Sequence, residues 1–375
     1  MKLTPRLKRF RTERGLTQQA LAVLAGLSRQ ALNQIENGSA VPSTAVALQL
    51  GRALGCRVEE LFQLAEPAAQ LTAHLAEPLR PTTTTRSQRA LVGRVNGRLI
   101  AHRLDPQQRP ADLSRAADAL VTRTKARTCA LRPLLPLERL EDTLLLAGCD
   151  PALGLLAGRV NQTSPAARTL WLEATSGAAL SSLERAELHV AGAHLFDQDS
   201  GDYNVPFVQR AFAGRPMVVV TLAQLQEGLC VARSNPKRIR RVADLARADV
   251  RLMNRDPSAA ARRLLDRLLA REGLSGTDIA GYDTSAPGHL EAAAAVATGA
   301  ADAAIVTCGT ALALDLHFIP LAEERFDLVF PKDALADARV RLLMDTLSSS
   351  ALRRELDALG GYVTRRSGSI AAELN

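Results

Sequence analysis

The chain has 375 residues, 47% of them hydrophobic but only 3% aromatic, with 47 Lys and Arg against 39 Asp and Glu for a net charge of +8. That length calls for two or three domains with aliphatic cores, and the basic excess, scattered as Arg, is compatible with a nucleic-acid partner without requiring one. Cys56, Cys129, Cys149, Cys230 and Cys308 form no CxxC or zinc-ligand spacing, and no apolar run nears membrane-spanning length. Neither a disulfide framework nor a metal site nor a membrane partner is expected, and without a leader-like segment before the first helix the protein is expected in the reducing cytoplasm.

In chain order, a first helix is rich in Arg and Lys, with Arg6, Lys8, Arg9, Arg11 and Arg14 as candidate phosphate contacts. Residues 17–24 and 28–35 follow as two short apolar-periodic segments around Ala25-Gly26-Leu27. Thr17 and Ser28 stand where N-caps belong, because a hydroxyl satisfies an otherwise unpaired first-turn N–H. Gly26 permits the sharp turn. The first segment turns Ala20, Leu21 and Leu24 to one face; the second turns Ala31, Leu32 and Ile35 inward. Arg29, Gln30, Asn33 and Gln34 remain outside, side chains able to read base edges from a major groove. The layout is a helix-turn-helix with residues 28–35 as the recognition helix.

These residues resemble the lambda-repressor/Cro-like (Xre-type) DNA-binding family. The resemblance runs from about residue 3 to 64 through GLTQQALA, LSRQALNQIENG and VPSTAVALQLGRALGCRVEELF. It implies that Gln18 and Asn37 touch phosphates, while Ser28, Arg29, Gln30 and Asn33 face bases. Arg29 suits guanine, and Gln30 or Asn33 suits adenine.

Pro67, Pro78, Pro81 and the run Thr82-Thr83-Thr84-Thr85 mark a boundary. Beyond it, two alternating segments about Asn96-Gly97 predict a hairpin with a type I′ turn. Residues 67–138 are expected to be a linker and small β-rich connector between a 1–66 DNA-binding domain and a 139–375 domain. In the last of these, short apolar runs alternate with helical patterns. Strands are predicted near 143–148, 169–174, 187–195, 217–222, 229–232, 250–254, 279–282, 303–307, 318–321 and 328–330, which gives an α/β architecture.

The segments LLLAGCDPAL, ELHVAGAHLFD, GDYNVPFVQR, RLMNRDPSAAARRLLD, GYDTSAPGHLEAAAAVATGAADAAI and FIPLAEERFDLVFPK resemble, as a set, the cytoplasmic PBP-like form of the type 2 periplasmic-binding-protein fold, related to molybdate-binding domains. The resemblance implies two lobes joined by crossover strands around a ligand cleft. The strand ends would bring Cys149, Asp150, Thr175, Ser176, His194, Asn254, Ser258, Arg262, Tyr282 and Thr307 to that cleft. Ser258 is expected to open a helix, and Asp150 to pair with Arg262. Ser258-Ala-Ala-Ala-Arg262 replaces the Gly-Ser-Gly-Thr-Arg of related domains, which weakens an oxyanion reading. His289, at a helix start, is expected to cap or pack.

Without a GxSxG, HExxH, Walker A or GxGxxG context, no enzyme and no cofactor are expected. Cys149 and His194 could serve as nucleophile and base, but the sequence supplies no group to orient them. The whole is therefore expected to be a multidomain, dimeric, one-component regulator, binding duplex operator DNA and a small polar metabolite or oxyanion such as molybdate. The alternative is a constitutive repressor whose C-terminal domain serves oligomerisation or protein partners.

Overall fold

The computed structural model describes residues 2–65, 70–79, 88–107, 109–164 and 166–375. Pro67, Pro81 and the Thr82–Thr85 run fall outside them. The chain divides into two units, Met1–Leu71 and Thr72–Asn375, so the connector expected from the sequence groups with the C-terminal part.

In the first unit, β1 (Lys2–Pro5) pairs antiparallel with β2 (Phe62–Ala65). Between them run α1 (Leu7–Glu13), α2 (Gln18–Leu24), α3 (Arg29–Glu36), α4 (Thr44–Leu54) and α5 (Val58–Leu61). The predicted caps are made: Thr17, Ser28 and Ser43 hydroxyls accept from the backbone N–H groups of Ala20, Ala31 and Val46. Gly26 has φ 65°, the left-handed turn a side chain would disfavour. Leu7, Leu21, Leu32, Leu50, Leu54 and Leu61 form the core. Leu24 does not join them. It is 60% exposed, because α2 buries Leu21, Ala22 and Ala25, a stripe displaced by about one residue from the predicted one.

Arg11 is the other departure in this unit. It is buried, and its Nε donates to Glu36 Oε1 at 2.7 Å while its Nη1 donates to the Leu16 carbonyl at 2.7 Å. A guanidinium spent on tying α1 to α3 is not a phosphate contact.

The second unit begins with a closed five-stranded barrel. Its strands are β3 (Leu71–Leu75), β4 (Arg89–Val95), β5 (Arg98–Arg103), β6 (Ala119–Lys125) and β7 (Thr128–Pro133). The β4–β5 hairpin turns at Asn96 and Gly97, both with positive φ. A barrel seats against the following α/β layers because its own interior is small. Leu91, Val95, Ile100 and Leu104 share a core with Leu145, Leu188 and Ala191. Glu187, fully buried, is held at this seam by Arg127, by Arg185 and by the Ser182 hydroxyl.

After α6 (Leu137–Glu141), the α/β part runs β8 (Thr143–Gly148), α7 (Ala152–Thr163), β9 (Arg168–Glu173), α8 (Ser176–Glu184), β10 (Val190–Ala193), α9 (Val205–Ala211) and β11 (Met217–Val231). It continues β12 (Leu252–Arg255), α10 (Ala260–Arg271), β13 (Ser285–Ala286), α11 (His289–Ala297), β14 (Ala303–Thr307), α12 (Cys308–Ala313) and β15 (His317–Pro331). It closes with α13 (Ala338–Leu347), α14 (Ser350–Leu359), β16 (Tyr362–Val363) and β17 (Ile370–Leu374). Every residue of β8 is buried, as a parallel strand covered on both faces requires.

Two corrections decide the architecture. The predicted pairs 217–222/229–232 and 318–321/328–330 are not four strands but two long antiparallel ones, β11 and β15. Polar residues such as Gln224, Gln226, Glu323 and Glu324 interrupt the apolar pattern without interrupting the ladder. The predicted strand at 279–282 is instead a turn after a 3-10 segment, Gly276–Asp278. One end of β11–β15 lies beside β10, β8 and β9, and the other beside β14, β12 and β13. The two long strands are thus the crossovers between two lobes, with separate cores on either side. Their register shifts at Glu227/Gly228. A Cβ on Gly228 would sit 2.2 Å from the Ile319 carbonyl oxygen, so glycine is required where the strands approach.

Candidate functional site

In the helix-turn-helix unit, α3 follows from its cap at Ser28 and its inward Leu32 and Ile35. That leaves Ser28, Arg29, Gln30, Asn33, Gln34 and Asn37 exposed on the other side. Several of the polar groups are already oriented. Asn37 Nδ2 donates to Asn33 Oδ1 at 3.1 Å, and Gln18 Nε2 donates to Asn33 Oδ1 and to Glu36 Oε2. Arg9 is exposed and paired with Glu13 on its own helix. Arg29 and Gln30 have solvent-facing side chains able to fork onto base edges.

Between the lobes of the second unit lies a cavity of about 1010 Å³. Thr175, Gly177, Ala178 and Ser181 line it from one lobe; Asp256, Ser258, Ser285, Ala286 and Pro287 line it from the other. Glu77, Leu79 and Gln107 close it from the barrel side. Thr175 caps α8 and its hydroxyl lies 2.9 Å from that of Ser258, across the cleft. Ser258 also donates to Asp256 Oδ1 at 2.6 Å. It does not open a helix: α10 starts two residues later, with Ala259 as its cap position.

The other predicted ligand residues separate into groups. Arg262 does not meet Asp150. Its Nε donates to Asp266 Oδ1 at 3.1 Å and its guanidinium stacks on Tyr282, 3.9 Å from the ring centroid. Tyr282 in turn donates to Asp266 at 2.7 Å. Asp150 is buried, accepting from Ala152 N and Tyr362 OH at 2.7 Å each. Burial pushes its pKa up against those two hydrogen bonds. Asn254 is buried and bonds the Tyr282 carbonyl at 2.8 Å. Thr307 and Thr310 hydroxyls lie 2.8 Å apart. Asp150, Asn254 and Thr307 thus brace their own surroundings.

Cys149, Ser176 and His194 do converge. Cys149 Sγ lies 3.1 Å from His194 Nε2, and Ser176 Oγ accepts from His194 N. The orienting group that the sequence did not reveal is Glu324, whose Oε2 lies 2.6 Å from His194 Nδ1. Glu227 and His289 complete the cluster, each 3.9 Å from a neighbour: Glu227 Oε2 from His194 Nδ1 and Glu227 Oε1 from His289 Nε2. Burial alone would lower the His194 pKa. The Cys149 sulfur and the Glu324 and Glu227 carboxylates outweigh it and hold that pKa well above the ordinary imidazole value. Burial and the like charge of Glu324 drive Glu227 well up, while burial, Arg255 and His194 drive His289 well down. None of these side chains lines the cleft cavity.

Glu227 and Glu324 were missed because each falls in a polar gap between two predicted strands, which the structure closes into β11 and β15. Their chemistry emerges only when β11 and β15 cross between the lobes. Among the described residues, no helix is long and apolar enough to cross a membrane.

A DNA-reading helical head and a two-lobed binding fold are the class of protein these features define, and sequence comparison agrees. Residues 157–348, just over half of the chain, match the family model of the PBP superfamily domain, and residues 7–61 match the helix-turn-helix model. The chain belongs to the PBP superfamily and carries an Xre-type helix-turn-helix DNA-binding module.

It is 34% identical over 184 residues to the uncharacterized protein YvgK of Bacillus subtilis, a match covering 49% of this chain and 59% of that one. The chain thus spans less than two thirds of that relative. Over 65 residues it is 38% identical to an HTH-type transcriptional regulator of Methanothermobacter thermautotrophicus, covering 17% of this chain and 94% of the regulator. A phosphate-bound substrate-binding protein of a putative phosphate ABC transporter from Clostridium perfringens aligns at TM-score 0.45 and 10% identity, over 59% of this chain and 98% of that one.

Proposed function

We propose that the protein is a cytosolic one-component transcription regulator in which a small polar metabolite, taken up between the two lobes, changes operator binding by a homodimer of helix-turn-helix heads. The observation that carries this reading is the interlobe cavity, to which both lobes contribute hydroxyl groups and where Thr175 and Ser258 face each other at 2.9 Å. A ligand bridging those groups binds the closed arrangement better than the open one, and only such differential affinity can shift an equilibrium.

The lining also narrows the ligand. Among the described residues it includes Asp256 and Glu77 but no Lys or Arg, and Arg262 is committed to Asp266 and Tyr282. Carboxylates without a facing cation disfavour a bare oxyanion such as molybdate. A hydroxyl-bearing or amine-bearing metabolite suits them better.

The test is a thermal-shift screen of the full chain with sugars, amines, amino acids and oxyanions, followed by footprinting upstream of neighbouring genes. Ser258→Ala should remove the thermal response and leave ligand-free operator affinity unchanged. If a low-molecular-mass cell extract alters neither unfolding nor operator affinity, the constitutive repressor replaces this reading.

A further inference from the structure

Five side chains that can bind a metal come together at the lobe crossover from five separate elements. Cys149 follows β8, His194 follows β10, Glu227 lies on β11, His289 opens α11 and Glu324 lies on β15. One ligand atom from each of Cys149, His194 and His289 lies within 4.8 Å of the others, and the same holds for His194, Glu227 and Glu324. All five residues are buried. Among the described residues, neither carboxylate oxygen of Glu227 has a hydrogen-bond donor, and His289 Nδ1 has no partner. Burial and Glu324 push that carboxyl group toward its neutral form, and a cation beside it would stabilise the charged one.

We propose that Cys149, His194 and His289 bind a borderline-soft divalent transition-metal ion of the zinc class, with Glu324 and Glu227 as the carboxylates behind the two imidazoles. Thiolate and imidazole donors select that class over magnesium or calcium. His194 offers Nε2, on the side of Cys149, while Glu324 holds Nδ1 at 2.6 Å. His289 has an unpartnered Nδ1 free to bind the ion, and its Nε2 lies 3.9 Å from Glu227 Oε1, longer than a hydrogen bond. A carboxylate on the far nitrogen of a ligating histidine fixes its tautomer and raises its basicity.

Tetrahedral bonds of ordinary length put ligand atoms about 3.4–3.6 Å apart. Cys149 and His194 are already at 3.1 Å, and His289 closes the remaining gap by a shift of about an ångström. On metal uptake, the proton between Cys149 and His194 and the one on Glu227 leave to solvent, the sulfur and the two imidazole nitrogens bind the ion through lone pairs, and a water takes the fourth position. Cys149 and His194 belong to one lobe and His289 to the other, so the ion pins the lobes together. The site does not depend on the interlobe cavity taking a metabolite, because it uses none of the residues that line it.

The test uses the full chain, stripped with a chelator and titrated with Co²⁺ as a spectroscopic probe, then with Zn²⁺ in competition. One equivalent per chain should give a thiolate-to-cobalt charge-transfer band and the intense visible bands of tetrahedral cobalt. Zinc should abolish both, and each ion should raise the unfolding temperature. Cys149→Ser should lose the charge-transfer band, and His289→Ala should lose stoichiometric binding. The isosteric Glu324→Gln should keep the band but weaken affinity by about 10–100-fold. An intact wild-type chain that shows no charge-transfer band would overturn the proposal, whatever the variants do. So would cobalt uptake that is equal in the wild type and in Cys149→Ser.

Discussion

The buried ion pair between α1 and α3 offers the sharpest test of how the DNA-binding unit is held together. Arg11 and Glu36 side chains are only 10% and 1% exposed, and they meet at 2.7 Å through Nε–Oε1 and at 3.3 Å through Nη2–Oε2. The Leu16 carbonyl accepts from Arg11 Nη1, and Gln18 Nε2 donates to Glu36 Oε2 at 2.9 Å, adding two further hydrogen bonds to the pair. Replacing Glu36 by Gln preserves shape but strands a guanidinium away from water. Breaking one partner of such a pair costs about 3–5 kcal/mol, a large share of the roughly 5–15 kcal/mol that holds a whole domain.

At about 4–8 °C per kcal/mol for a small domain, the N-terminal unit of Glu36→Gln should unfold at least about 12 °C below the wild type. Arg11→Met should behave alike. The double variant Arg11→Met/Glu36→Leu should recover most of the loss, because replacing both charges with apolar groups removes the stranded ion. Unfolding of this unit can be followed in the full chain by amide exchange in α1 and α3 against temperature or urea. Single variants within about 0.5 kcal/mol of wild type, the range of an ordinary surface change, would refute the reasoning.

Arg29→Ala and Gln30→Ala should each weaken specific operator binding by about 1–3 kcal/mol, the worth of one good bidentate hydrogen-bond pair to a base, without lowering the stability of the unit; footprint titrations with unfolding controls check both halves. The second unit should lose stability in mild acid. His102 and His189 are buried, with pKa values lowered to about 4 chiefly by desolvation. His189 Nδ1 accepts from Leu145 N while Nε2 donates to the Arg94 carbonyl, a pattern only the neutral ring makes. The unfolded chain binds their protons from about pH 6.5 downward and the folded chain does not. Stability is therefore fully present above about pH 6.5 and falls toward about pH 4, by on the order of 3 kcal/mol for each histidine. His102→Gln/His189→Gln should flatten that slope in urea unfolding. Gly228→Ala should destabilise the crossover by about 1–3 kcal/mol or more, since the Ile319 carbonyl cannot retreat from a Cβ without breaking the β11–β15 ladder; calorimetry on the full chain measures it.

Local chemistry was enough for the DNA-reading head. Hydroxyls at Thr17 and Ser28, a glycine at 26 and a polar outer face on residues 29–34 act within a few residues of one another, so their order in the chain nearly determines their arrangement in space. The α/β alternation and the Asn96-Gly97 hairpin were legible for the same reason, and so was the convergence of Cys149 with His194, because strands of a parallel sheet end on a common edge. Tertiary structure alone decided that β11 and β15 each run unbroken between two lobes. It also decided that Arg11 is a buried strut and that Glu324 stands behind His194. Each of those outcomes depends on partners 25 to 130 positions away, brought together only by the packing of distant elements, so no pattern in neighbouring residues records them.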